Sequence, residues 1–278
     1  MASPLPQPLV VETASCTGEV HDQGAQVTRW APAGAAPVLY VSTALNLEAG
    51  RSIRGGIPVC WPWFGPGRGG GMEPAHGFVR TAPWHLAERE DDGEDVVVTH
   101  RISSADVSPA NWPHPYELEL ATRVGAALDL TLTTTNAGDA PIVVEEALHA
   151  YLAVGDVRQV KLDGLDGRSY FDKVTGAERV QSGPVRFAGE TDSVYRTGEP
   201  VVLDDPVLDR RLVISTEGSA NVVVWNPWAE KAAEVPDIGD DDWTGFLCVE
   251  GANAFENAVT VEPGESHAMT YRVEVRTR

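Results

Sequence analysis

An all-β fold, a large sandwich in a single domain, is what this sequence predicts. Apolar and polar residues alternate with period two along much of the chain, and no stretch keeps the i, i+3, i+4, i+7 spacing of a long helix. In addition, 27 glycines and 20 prolines punctuate the short apolar segments. A chain of 278 residues could form two domains, but all-β sandwiches of this size often run as one unit. No repeat or low-complexity linker marks a boundary, so one domain over 1–278 is expected.

The elements follow in order. "PVLYVST" (37–43) and "DVVVTHRI" (95–102) read as strands from their β-branched content. Tyr116, Leu118 and Leu120, then Leu128, Leu130 and Leu132 beyond a turn containing Gly125, describe a hairpin with one buried face. "PIVVEEALHAYLAV", "RQVKLDGL", "RLVISTE", "NVVVWN", "GFLCVEGA" and "VTVEP" continue the pattern. The last strand, "HAMTYRVEVRT", sets Met269, Tyr271, Val273 and Val275 on one face and Arg272, Glu274 and Arg276 on the other.

Charge narrows the function. With 41 acidic and 21 basic residues the net charge is −20, which repels nucleic acid and anionic membrane surfaces. A phosphorylated metabolite would be repelled at long range too, so an anion site requires a local cluster of Arg, Lys or backbone N–H groups. "RSIRGGIPVCWPWFGPGRGGG" (51–71), with Arg51, Arg54 and Arg68 beside Trp61, Trp63 and Phe64, is a candidate. Cys16, Cys60 and Cys248 are odd in number and form no Cys-x-x-Cys pair, so reduced buried thiols are expected. The N-terminal segment lacks a basic and an apolar region, and no apolar run approaches the ~18 residues of a membrane span. A cytoplasmic protein is the expectation.

Four places carry chemistry. His149 lies in the apolar pattern "VEEALHAYLAVGD", sharing its face with Ala147 and Tyr151; a core histidine bonded to a carbonyl and a catalytic imidazole both fit. Glu250 follows the run Phe246 to Val249; it is either a desolvated general base or a strand-end glutamate facing water. His76 and Arg80 flank Gly77, and Arg54 precedes Gly55 and Gly56, so two guanidinium forks sit on glycine-permitted turns; surface ion pairs are the other reading. In "VPDIGDDDW", Asp237, Asp240, Asp241 and Asp242 fail the EF-hand spacing and read as a solvated acidic loop. Nucleophile-elbow, Walker and Rossmann motifs are missing.

Taken in order, "RGGIPVCWPWFGP", "HGFVR", Trp84, "ALHAYLAVGD", "YFDK", "TDSVY", "VVVWNPW" and "FLCVEGAN" resemble the bacterial D-hexose-6-phosphate mutarotases, the glucose-6-phosphate 1-epimerase branch of the aldose 1-epimerase family. The resemblance spans about residues 50 to 255. It implies a galactose-mutarotase-like β-supersandwich, no cofactor, a small-molecule hexose phosphate as partner, and a monomer. It further implies His149 as general acid, Glu250 as general base, Arg54 and Arg80 as phosphate-binding arginines, Asp192 as a substrate-contacting aspartate, and His76 as a pocket residue. In the competent state His149 would be protonated and Glu250 ionised, with the three loop aromatics as pocket walls. Where some relatives have a polar amide before the His-Gly pair this chain has Ala75, which removes one potential contact.

Other readings remain at this point. An aldose 1-epimerase acting on unphosphorylated sugar uses the same acid and base. A glycosidase needs two carboxylates across the scissile bond, and the best pair here is a His and a Glu. A carbohydrate-binding sandwich would need no catalytic pair at all.

Overall fold

The computed structural model describes residues 3–45 and 47–278. Two large antiparallel sheets face each other. The nine-stranded sheet runs Val185–Arg186, Lys161–Asp163, Val201–Asp205, Arg210–Glu217, Ser266–Thr277, Ala127–Asn136, Tyr116–Val124, Val96–Ser103, His85–Asp91. The eight-stranded sheet runs Ala177–Val180, Ser169–Asp172, Thr191–Tyr195, Asn221–Asn226, Phe246–Asn253, Glu146–Leu148, Val59–Cys60, with Tyr151–Ala153 also paired to Phe246–Asn253. A three-stranded sheet (Leu9–Glu12, Cys16–His21, Gln26–Pro32) packs Val11, Val20, Val27 and Trp30 into the same core.

The two sheets differ in how many faces they bury. Along Ala127–Asn136 burial alternates strictly, with Leu128, Leu130 and Leu132 inward and the other face half exposed, as expected for a sheet with one solvated side. Phe246–Asn253 is buried at every position. Its Val249 faces the inter-sheet core, where Tyr271 Oη donates to the Val249 carbonyl at 3.0 Å. Glu250 and Ala252 face the other way, and Ala252 joins a second small apolar cluster with Cys60, Phe64, Ala147, Val194 and Val223. The continuous apolar run in the sequence therefore marks a strand buried on both faces, and the face turned from the core is the floor of the site.

Most expected strands are present, and others appear that the alternation did not mark, among them Leu9–Glu12, Cys16–His21, Gln26–Pro32, Ser169–Asp172, Ala177–Val180, Thr191–Tyr195 and Val201–Asp205. "PVLYVST" makes only single bridges, Leu39 to Leu152 and Val41 to Gly55, and is not a strand. The long segment at 141–154 breaks into Ile142–Val144, Glu146–Leu148 and Tyr151–Ala153. His85–Asp91, absent from the sequence reading, is exposed at every position and carries no apolar alternation to reveal it.

Candidate active site

The break after Leu148 positions His149. Glu146–Leu148 and Tyr151–Ala153 pair with the same strand in one register, Leu148 opposite Gly251 and Tyr151 opposite Cys248. Across the gap His149 therefore falls opposite Glu250. The backbone in the gap turns to the glycine loop instead: His149 N donates to Pro58 O at 3.0 Å and Tyr151 N to Gly56 O at 2.9 Å. That loop needs its glycines, because a Cβ on Gly56 would lie 2.1 Å from the Val27 carbonyl oxygen and one on Gly55 2.4 Å from that of Tyr40.

His149 Nε2 lies 3.4 Å from Glu250 Oε1, with Glu250 only 1% exposed. His149 Nδ1 and Glu250 Oε2 are both buried without a hydrogen-bond partner. Buried polar atoms are nearly always paired, so the orphaned pair is the first mark of a reacting centre. The imidazole stacks on Tyr151 at 4.8 Å and meets Trp225 edge-on at 5.9 Å. Burial pushes Glu250 well above the usual carboxylate range, with Asp192 adding to the rise and Lys173 opposing it. Burial pushes His149 well down, and His76, Arg80 and Arg54 push the same way. Burial thus favours the neutral form of each group, a proton on Glu250 and none on His149, whereas the resemblance implies the ionised pair in the competent state; the two forms differ by one proton transfer and share the same net charge.

The other sequence candidates gather around this dyad. His76 has a left-handed backbone, φ +65°, and its ring packs edge-on to His149 at 5.7 Å and to Phe64 at 5.0 Å. Burial, then Arg80, Lys173 and Arg54, lower its pKa to about 3, so it is neutral at physiological pH. Arg80, on the turn Val79–Thr81, donates from Nη2 to Ala75 O at 2.7 Å, while its Nε is buried and unpartnered. Arg54 is tied on two sides, with Nη1 2.9 Å from Tyr151 Oη and Nη2 3.0 Å from Asp237 Oδ1. Asp192, opposite Trp225 on the neighbouring strand, pairs with Lys173 Nζ at 2.8 Å.

Several expectations change here. Trp61 is fully buried among Phe78, Trp112 and Tyr116 and donates to Thr134, and Trp63 packs on Phe78. Both are core residues, and only Phe64 borders the site. Arg51 and Arg68 are exposed. The acidic loop is only partly solvated: Asp237 holds Arg54, and Asp242 accepts bonds from Tyr40 Oη at 2.6 Å and Thr43 N at 2.9 Å. Lys173, Tyr151 and Trp225 were not singled out as site residues, although each lies within a motif quoted for the resemblance.

Surface grooves are a poor guide to this centre. One of about 500 Å³, bordered by His85, Arg101, Glu117 and Glu119, lies on the exposed face of the nine-stranded sheet. Another of about 660 Å³ is bordered by Arg51, Thr81, Arg54 and Asp237 and meets the site only through Arg54. The dyad marks the site better, because two buried ionisable groups meet there with an unused polar atom each.

A two-faced sheet carrying a buried His–Glu dyad among cations and aromatic rings describes a sugar-isomerising sandwich. The chain belongs to the aldose 1-epimerase family, whose model matches residues 9–274. It is 35% identical over 272 residues to a protein of Escherichia coli (strain K12) named "Putative glucose-6-phosphate 1-epimerase", covering 96% of this chain and 90% of that one. A protein of Cenchrus ciliaris with the same name is 33% identical over 266 residues, covering 90% and 79%. A crystal structure from Salmonella typhimurium, described as "a putative mutarotase", superposes with a TM-score of 0.90 at 31% identity, covering 97% and 90%. A galactose mutarotase-like protein from Clostridium acetobutylicum shares the fold, with a TM-score of 0.76 at 13% identity over 97% and 95% of the two chains. The chain is an epimerase of the mutarotase type with a galactose-mutarotase-like fold.

Proposed function

We propose that this chain interconverts the α and β anomers of a hexose 6-phosphate, with glucose 6-phosphate as the first substrate to test. The observation that carries the reading is the buried His149–Glu250 contact, with one orphaned polar atom on each partner, next to an arginine that among the described residues bonds only a backbone carbonyl. Glu250 removes the C1 hydroxyl proton, the C1–O5 bond breaks with its electron pair going to O5, and O5 takes a proton from His149. Rotation about C1–C2 and closure with the roles reversed give the other anomer. Each acid-base partner supplies on the order of 10²- to 10⁴-fold.

A bound phosphate would favour the ionised form of the dyad. Arg80 and Arg54 are among the charges that hold His149 unprotonated. Burial is the larger cause, and a phosphate beside the two arginines offsets their added field, which favours passage of the proton from Glu250 to His149. Asp192 and His76 are assigned to sugar hydroxyls, and Arg54 and Arg80 to the phosphate. A monomer acting as one domain completes the proposal. Three unpaired buried cysteines support the cytoplasm as its compartment, and no helix among the described residues is long and apolar enough to cross a membrane.

The pairing of Arg54 with Asp237 favours a second reading, an unphosphorylated aldose as substrate. Anomer exchange measured by NMR magnetisation transfer on glucose 6-phosphate, with glucose alongside, separates the two. Acceleration confined to the phosphate supports the proposal, equal acceleration of both sugars transfers the activity to free aldoses, and no acceleration of either rejects anomerase activity on glucose.

A further inference from the structure

Lys173 ends the stretch "YFDK" and takes no part in the proton transfers above. Its Nζ lies 2.8 Å from Asp192 Oδ2 and 5.3 Å from the centroid of Phe64, the ring that packs against His76. Its backbone N also donates to Asp192 O at 2.8 Å, which fixes the two residues side by side. An ammonium has three N–H donors, and Asp192 engages one.

Charge balance distinguishes Lys173 from the arginines. A sugar phosphate brings about 1.5 to 2 negative charges at neutral pH. Arg80 bonds a carbonyl and has no carboxylate partner among the described residues. The charge of Arg54 is matched by Asp237, and its guanidinium is fixed by Asp237 and Tyr151 together. A second positive charge must come from a group free to move, and Lys173 is held by one carboxylate at the end of a flexible stem. That carboxylate is largely buried, so when Lys173 leaves it needs another donor, which a sugar hydroxyl supplies.

We propose that Lys173 is a substrate-binding residue that leaves Asp192 for an anionic oxygen of the sugar phosphate, while Asp192 accepts a hydrogen bond from a sugar hydroxyl. This inference rests on the hexose-phosphate reading above, and the controls separate the two. The experiment compares kcat/KM for glucose 6-phosphate and for glucose, and inhibition by inorganic phosphate, in Lys173→Met, Asp192→Asn and Arg80→Ala, with circular dichroism checking the fold of each. Lys173→Met is expected to lower the ratio of glucose 6-phosphate to glucose turnover by about ten- to a hundredfold and to weaken phosphate inhibition similarly. Asp192→Asn, which frees the amine, should strengthen phosphate inhibition. An unchanged ratio in Lys173→Met with a lowered one in Arg80→Ala overturns the role of Lys173 and leaves the substrate reading standing. An unchanged ratio in both overturns the two together. Should Lys173→Met not fold, Asp192→Asn decides, and unaltered phosphate inhibition there overturns the inference.

Discussion

His267 Nε2 lies 2.9 Å from Glu146 Oε1, and through this contact the last strand of the nine-stranded sheet is fastened to the eight-stranded sheet three residues before His149. Asn253 Nδ2 donates to the same oxygen at 3.0 Å. The bond to Glu146 raises the pKa of His267 despite partial burial. A raised folded-state value means the pair stabilises fully below the ordinary histidine pKa and loses that contribution as pH rises through the folded value. Thermal melts of wild type and His267→Gln should therefore differ most near about pH 5.5 and converge on the alkaline side. A gap that widens with rising pH would contradict the pairing.

In the proposed mechanism the His149–Glu250 dyad holds one proton, and activity requires that count. His149 is shifted down and Glu250 up, so the one-proton form spans a broad plateau between the two. The rate with glucose 6-phosphate should follow a bell, its alkaline limb lying above the ordinary carboxylate range and its acid limb below the ordinary histidine range. Glu250→Gln should keep the fold and lose about 10²-fold or more in kcat. Near wild-type turnover in that variant removes Glu250 from the mechanism.

Asp242 joins the acidic loop to the segment before Arg54. Its carboxylate accepts from Tyr40 Oη, Thr43 N, Thr43 Oγ1 and Gly239 N. Asp242→Ala should cost roughly 1–3 kcal/mol by leaving these donors short of a partner. Urea unfolding measures it, and a loss within error of zero would show that the loop is solvated as the sequence reading had it.

Gly77 passes so close to Trp61 that a Cβ there would sit 1.8 Å from the Trp61 carbonyl oxygen, and its φ is +76°. Gly77→Ala is expected to destabilise by about 2–4 kcal/mol and to displace His76. An Ala variant with native stability and activity would mean that the two segments separate easily.

All three thiols are free and buried. Burial raises Cys60 to about 12 and Cys248 well above the ordinary range. Native protein should resist iodoacetamide, with three alkylations appearing only after denaturation, as read by intact mass. Rapid labelling of the native chain would place a thiolate at the surface.

The hairpin at 116–136 and the strand Ser266–Thr277 were legible because each buries one face, and period-two alternation records that directly. Strand His85–Asp91 was not, since it buries neither face. His149 and Glu250 were visible as polar residues in apolar runs, yet only the shared register shows that they face each other. Lys173 was hidden for a similar reason: its partner Asp192 is brought beside it by the pairing of Asp172 with Ser193, and nothing local in "YFDK" announces that neighbour.

The cations around His76 have a kinetic consequence, because they lie inside a molecule of net charge −20. A dianionic sugar approaching from afar meets repulsion first and attraction only within the site. Mobile ions shorten the outer field to about 10 Å at 0.1 M while reaching enclosed charges far less. Added salt should therefore speed encounter at low ionic strength, and only at higher concentration would its own anions begin to compete with the substrate for the arginines.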